Sequence, residues 1–282
     1  MSKDKKVRER EIEDAKKEAQ VLEMLNHPYI VRYLDEHTCT SFMGDSIKEF
    51  RIVMEYCEGG DLRATINKAK ENSKISWSYS DDQCHLDVKL HDDQLWGWFT
   101  QITMALEYIH GENIIHRNIK PKNIFFNKNK KICKLGGFKF NKTLGDDVTS
   151  TRSGYELIFI NWNFWSIFLS ISFKTVSGTL AYIHYDYFAG RDAKFGRDAD
   201  IWAVGVILYE LVMLEHPFLT DEVKKMKNKD HELEKRIKAL EYKPVEGSID
   251  ADRIIKGCLL KDRKKRLTAK QILEDQRFVY SN

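Results

Sequence analysis

Chemistry in this chain of 282 residues is concentrated in one stretch, IIHRNIKPKNIFF at residues 114–126. Lys120 is a point charge and Asn123 an amide, so together they could touch a phosphate, and the Asn123 oxygen could hold one hard cation at most. Asn118 is also an amide, with no basic lone pair at neutral pH, and cannot take a proton as a general base. His116 and Arg117 complete the set. The bland alternative for Lys120 and Asn123 is loop scaffolding.

The elements that would hold this stretch can be read on either side of it. Upstream, Leu95, Trp98, Phe99, Ile102, Ala105, Leu106 and Ile109 recur at helical spacing, with Gly111 as a C-cap. Downstream come short strand-like runs at 123–126 and 131–135. The chain opens with a charged segment whose apolar stripe, Ala15, Ala19, Leu22 and Leu25, predicts a helix over about 11–25, stopped by His27-Pro28. Strand-like runs follow at 29–34 and 50–56, then Gly59-Gly60-Asp61 breaks the pattern. Residues 66–93 read as a helix tail and a long polar loop. Ile201–Val212 is apolar almost all round, as a buried central helix would be. Helical patterns close the chain at 254–260 and 268–273, the last opened by a Thr268-x-x-Gln271 capping box.

Composition narrows the class. Hydrophobic residues make up 42% and charged residues 32%, enough apolar matter for a packed core. Forty-six Lys and Arg against 43 Asp and Glu is too even to argue for nucleic acid or membrane. The basic run 261–270 reads as a solvated face, without the aromatics of a nucleic-acid groove. Cys39, Cys57, Cys84, Cys133 and Cys258 are odd in number and form no C-x-x-C pair, so neither a disulfide framework nor a zinc site follows. MSKDKKVRER has no apolar signal region, and the expected setting is a reducing, intracellular one.

The H-R-x-x-K-x-x-N frame of residues 116–123 resembles the catalytic loop of eukaryotic protein kinases. VMEYCEGGDL (53–62) resembles the kinase hinge, which would assign Met54, Glu55 and Cys57 to the adenine site. KLGGFKF (134–140) stands where K-L-G-D-F-G is expected, and GTLAYIHYD (178–186) resembles G-T-P-x-Y-x-x-P-E. DADIWAVGVILYEL (198–211) and CLLKDRKKRLTAKQIL (258–273) resemble the family's buried and closing helices. The likeness runs from about residue 18 to 273, and the wording of EAQVLEMLNHPYIVRY (18–33) is nearest to the NIMA-related (NEK) serine/threonine kinases.

The resemblance implies an α+β protein-kinase-like fold and a site for ATP and Mg²⁺, and the same motifs depart from it where the chemistry is done. The family's loop aspartate accepts the substrate proton, and its DFG aspartate and loop asparagine hold two Mg²⁺. Asn118 and Gly137 occupy the two aspartate positions, and Gly137 offers a metal no side chain. Lys139 replaces the DFG glycine. The first glycine of the sequence is Gly44, so no G-x-G-x-x-G loop precedes the αC-like helix. Lys3, Lys5 and Lys6 lie in a charged run without strand pattern and read as exposed, which leaves Glu18, at the αC glutamate position, as an ordinary surface charge.

The packing residues are kept. Leu22, Tyr33, His116, Phe138 and Asp200 match the stacked set that joins the two lobes of active kinases. The resemblance gives Arg117 the role of receiving a phosphorylated activation-loop residue, with Thr175 as acceptor, and pairs Asp186 with Arg266. Between Ser153 and Lys174 lies an anomalous apolar insertion, 154–173. Its segment Leu157–Phe173 has seventeen residues without a charge, six of them Phe or Trp. That is short of the roughly 20 residues a bilayer span needs. It is either a genuine plug over the cleft or a retained intron, the latter suited to a composition alien to its flanks.

One domain is expected over 1–282: a partial N-lobe (1–57) with αC and two strands, and a helical C-lobe (58–282). Its start at αC suggests a truncated gene model. The expected function is a NEK-like pseudokinase that scaffolds or regulates a signalling partner, another kinase or its substrate. The alternative is a weakly active serine/threonine kinase, or one whose gene model is incomplete. A third possibility is a poorly folded chain without function. No productive cofactor, nucleic acid or membrane is expected. The expected place is cytoplasmic, with a cytoskeletal association implied by the family alone.

Overall fold

The computed structural model describes residues 3–40, 47–77, 90–138, 142–143, 180–188 and 196–279. Thr175, Lys139, Cys84, the polar stretch 78–89 and the apolar insertion 154–173 lie outside the described residues. What is described is a mixed α/β, helix-rich fold.

Helix α1 (Lys3–Met24) begins well before the apolar stripe that predicts it. The reason is local: KDKKVREREIED is built from strong helix formers with no breaker, so propensity carries the helix where no core residue is needed. Ala19, Leu22 and Leu25 are buried as expected. The backbone of Lys3, Lys5 and Lys6 is helical, not a strand.

The first strand lies later than its sequence pattern suggests. Strand β1 (Tyr33–Thr40) pairs antiparallel with β2 (Ile47–Met54), in a register from Tyr33 opposite Met54 to Thr40 opposite Ile47. Ladder hydrogen bonds hold the polar run DEHTCT in extended form, whereas apolar Ile30 makes only a single parallel bridge to Leu135. Gly60 turns the chain at φ +75°, and the Asp61 carboxylate accepts from Ala64 N at 2.8 Å to start α2 (Leu62–Trp77).

Helix α3 (Asp92–Gly111) buries the apolar face read from its spacing. Gly111 is its last helical residue and not its C-cap; Glu112 closes the helix and Asn113 takes the left-handed conformation at φ 59°. Asn does so because its short polar side chain bonds locally at little steric cost, and its Oδ1 accepts from Arg197 at 2.6 Å. Strand β3 (Ile114–Ile115) pairs with β6 (Lys142–Thr143), and β4 (Ile124–Phe126) with β5 (Cys133–Leu135). Between β3 and β4 runs the loop that carries His116 to Asn123.

Short helix α4 (Tyr185–Phe188) precedes α5 (Arg197–Met213), which is buried continuously from Ala199 to Leu211. That is why its sequence is apolar on every face. Helices α6 (Asp221–Lys225) and α4 pack on α7 (Lys229–Ala239), α8 (Ile249–Cys258) packs on α5, and α9 (Ala269–Leu273) lies against α3 and is followed by α10 (Gln276–Val279). The Thr268–Gln271 capping box is formed in both directions. A single set of buried side chains runs from Leu22 to Ile272. No described helix is long and apolar enough to cross a membrane.

Gly205 lets α5 and α8 approach: a Cβ there would sit 2.5 Å from the Cys258 Cβ. Gly205→Ala is expected to destabilise the chain by about 1–3 kcal/mol through overpacking, read as a lower midpoint in urea.

Candidate functional site

Asp200, in the first turn of α5, organises the loop from beneath. Its Oδ1 accepts from Arg117 N at 2.8 Å; its Oδ2 accepts from His116 N at 2.9 Å and lies 2.9 Å from His110 Nε2. Burial alone would raise the carboxyl's pKa, but the His110 bond and the neighbouring His116 hold it below the ordinary value. Arg117 stands at φ 62°, a conformation that a non-glycine residue adopts only when its surroundings fix it. The N–H bonds to Asp200 provide that fixing.

His116 is fully buried and tied at both ring nitrogens. Nδ1 accepts from Asn118 N at 3.2 Å, which leaves the proton on Nε2 to be donated to the Gly136 carbonyl at 3.1 Å. Burial pushes the ring's pKa down to about 4. Its edge packs on Phe138 with ring centroids 4.5 Å apart. His116, Phe138 and Asp200 are therefore adjacent, Leu22 belongs to the same core, and Tyr33 packs at that core's margin.

The residues that depart from the kinase pattern meet one another. Asn118 donates its amide Nδ2 to the Gly137 carbonyl at 3.0 Å, and Asn123 donates its own to the Asn118 carbonyl at 2.7 Å. The loop is further clipped by Gly136 N to Asn123 O at 2.8 Å. Gly137 lies at φ +79°, and a Cβ there would fall 2.6 Å from the Asn123 amide carbon. The Asn123 amide thus fills the space where a side chain at 137 would begin. The Asn118 Oδ1 is buried and has no hydrogen-bond partner among the described residues. Lys120 is half-buried, and burial followed by the charge of Lys122 lowers its pKa.

Among the hinge residues, Met54 closes β2 and Glu55 turns its side chain to Lys134 Nζ at 2.7 Å and to Arg32 N at 2.6 Å. These bonds join the hinge to β5. Burial, then the Glu55 charge, raises the Cys57 thiol's pKa. Glu18 differs from the expectation of a plain surface charge: it is half-buried on α1 and engaged with a neighbour.

Asp186 and Arg266 meet at 3.0 Å, as the resemblance implies. Arg266 is fully buried, also donates to the Leu260 carbonyl at 2.7 Å and lies over the Trp202 ring at 5.0 Å. Burial would raise the Asp186 carboxyl, but the His184 bond and the Arg266 charge bring it down to about 2. Three partners escape sequence reasoning. His110 serves Asp200, Lys134 serves Glu55, and Arg63 binds the buried Glu210 at 2.8 and 2.9 Å beside the Tyr182 hydroxyl, itself 2.7 Å from Glu210. Their signal is weak because each pair is far apart in sequence and only the fold makes it a pair.

Compared with known proteins, residues 1–278 match the family model described as Protein kinase domain. The chain is 33% identical over 208 residues to human "Serine/threonine-protein kinase Nek5", covering 74% of this chain and 23% of that protein. It is 32% identical to Caenorhabditis elegans "Serine/threonine-protein kinase nekl-2", over 74% of this chain and 47% of the relative. Mouse "Serine/threonine-protein kinase Nek1" is 31% identical, over 78% and 14%. The matched part thus spans less than half the length of these relatives.

The buried histidines set an acid limit. His216, like His116, accepts backbone N–H at Nδ1, from Phe218 and Leu219, and burial takes its pKa down to about 4. Both rings have folded pKa values below the unfolded value of 6.5, so their stabilisation is whole above 6.5 and is lost as pH falls toward 4. Thermal midpoints are expected to drop across that window; a flat profile there would contradict the assignment. Asp186→Asn, which leaves the buried Arg266 only its longer contact with the Asp198 carboxylate at 3.3 Å, is expected to cost about 1.5–3 kcal/mol in chemical denaturation.

Proposed function

Because this chain belongs to the protein-kinase family, with NEK-type serine/threonine kinases among its relatives, we propose that it works by binding and not by phosphoryl transfer. The observation that carries this reading is the bond from the Asn118 amide to the Gly137 carbonyl. In phosphoryl transfer these two positions must supply a proton acceptor and a metal carboxylate. Here one supplies a neutral amide that donates and the other only its backbone.

The donor set does not fit the family's Mg²⁺ pair. Magnesium seeks carboxylate and phosphate oxygens in octahedral order. Asn123 turns its Nδ2 into the loop, and its amide occupies the space above Gly137. A nucleotide would meet Glu55 and Cys57 at the hinge and Lys120 below. It would lack the carboxylate that holds Mg²⁺ against the phosphate charge.

On this reading 1–57 is a partial N-lobe without a glycine-rich loop or β3 lysine, and 58–282 is the C-lobe of one kinase-like domain. On the same reading Arg117 is the residue that receives a phosphate carried by Thr175. The His116–Phe138 contact and the Asp186–Arg266 pair preserve a shape that a signalling partner, another kinase or its substrate, can recognise. The cytoplasm is the proposed setting. A second reading is a slow serine/threonine kinase. It is favoured by the loop's intact anchoring to Asp200 and by Lys120 and Asn123 in place, since positioning and electrostatics carry most of this reaction.

Transfer of labelled γ-phosphate from Mg²⁺-ATP to a protein substrate separates the two. The full chain is expected to match its Asn123→Ala variant at background; transfer clearly above that control establishes the kinase reading instead.

A further inference from the structure

Beside the loop lies a cavity of about 490 Å³. Arg63 of α2, Lys120 and Lys122 of the loop, and Lys224 of α6 line it. Glu210 is the one carboxylate among its described lining residues, and it is spent within the wall, held twice by Arg63 and once by the Tyr182 hydroxyl. Lys224 shares Asp221 with Lys70, at 3.0 and 2.6 Å, so one carboxylate stands between two ammonium groups. The wall therefore carries an excess of positive charge around a space of the size that ordinarily receives a ligand.

We propose that this cavity receives an acidic segment of a protein partner, whose carboxylate or phosphate groups meet Lys120, Lys122 and Lys224. The inference rests on the reading of the chain as a binding module and gives that module's partner a chemistry. Lysine ammonium groups act as point charges, so they select an anion without demanding the planar match of an arginine fork. Burial and the repulsion of Lys122 disfavour the charged form of Lys120, and the charge of an anion in the cavity offsets both. Nucleic acid fits less well. Its single strands need exposed aromatic platforms, and the one aromatic hydroxyl at this wall, Tyr182, is committed to Glu210. The attraction is screened by salt.

Fluorescence anisotropy of the full chain without nucleotide tests this separately from phosphoryl transfer. The probes are a labelled Glu/Ser peptide, its phosphoserine counterpart, a Lys/Ser peptide and oligo-dT. The expected result is binding of the acidic peptides alone, weakened about tenfold or more, roughly 1.4 kcal/mol per decade, in the Lys122→Glu, Lys224→Glu double variant. Lys264→Glu, an exposed charge away from the cavity, is expected to leave affinity unchanged. An equal melting temperature of all forms keeps misfolding out of the comparison. Whichever acidic probe binds tighter identifies carboxylate or phosphate as the source of charge. No binding, equal binding of oligo-dT or Lys/Ser peptide, or full affinity in the double variant would overturn the proposal. Background phosphoryl transfer would stand unaffected by any of these outcomes.

Discussion

A buried carboxylate holding two successive backbone N–H groups is the constraint on which the rest of this molecule depends. Asp200 fixes His116 and Arg117 from below, and with them the direction in which the loop leaves β3. The position is expensive to maintain, because a carboxylate loses its hydration on burial and must recover it as hydrogen bonds. Helix α5 can carry this position because it is buried continuously from Ala199 to Leu211, so its first turn is held by core packing along most of its length. Loop geometry is therefore inherited from core packing.

What the loop then presents is a matter of residue chemistry on a retained frame. An amide and a carboxylate have nearly the same shape and opposite electrostatic meaning: one donates and is neutral, the other accepts and carries charge. With Asn118 in the loop, the Gly137 carbonyl has a donor to satisfy it, and Asn123 can lie over the glycine. Both amides spend a donor on the loop's own backbone carbonyls. The same frame supports either chemistry, which is why packing alone, however complete, carries no information about turnover.

Much of this was legible in the residues. The stripe of α3, the all-round apolarity of α5 and the Thr268 capping box name their elements because each follows from a local rule. The loop frame of 116–123 could be read from motif spacing, and the Asp186–Arg266 pair from the resemblance to protein kinases. Other features resisted for physical reasons. Strand β1 is polar and is extended by its ladder with β2, so its own sequence misplaces it. The length of α1 comes from helix propensity in a run with no apolar signal. Gly111 has the chemistry of a C-cap, yet Asn113 takes the left-handed turn because Arg197, eighty-four residues on, bonds its side chain. The hidden partners His110, Lys134 and Arg63 are long-range in the same sense. A charged residue on a helix reads as solvent-facing until the fold supplies its counterpart.

The proposed function has amides standing where a kinase site bridges phosphate through metal. Its most direct test is calorimetric titration of a non-hydrolysable ATP analogue into the full chain, once with Mg²⁺ and once with EDTA. Mg²⁺ is expected to add no affinity, whatever the nucleotide binds alone. A clear Mg²⁺-dependent gain that disappears in Asn123→Ala would contradict it, because it would place a working metal site where the amide network lies.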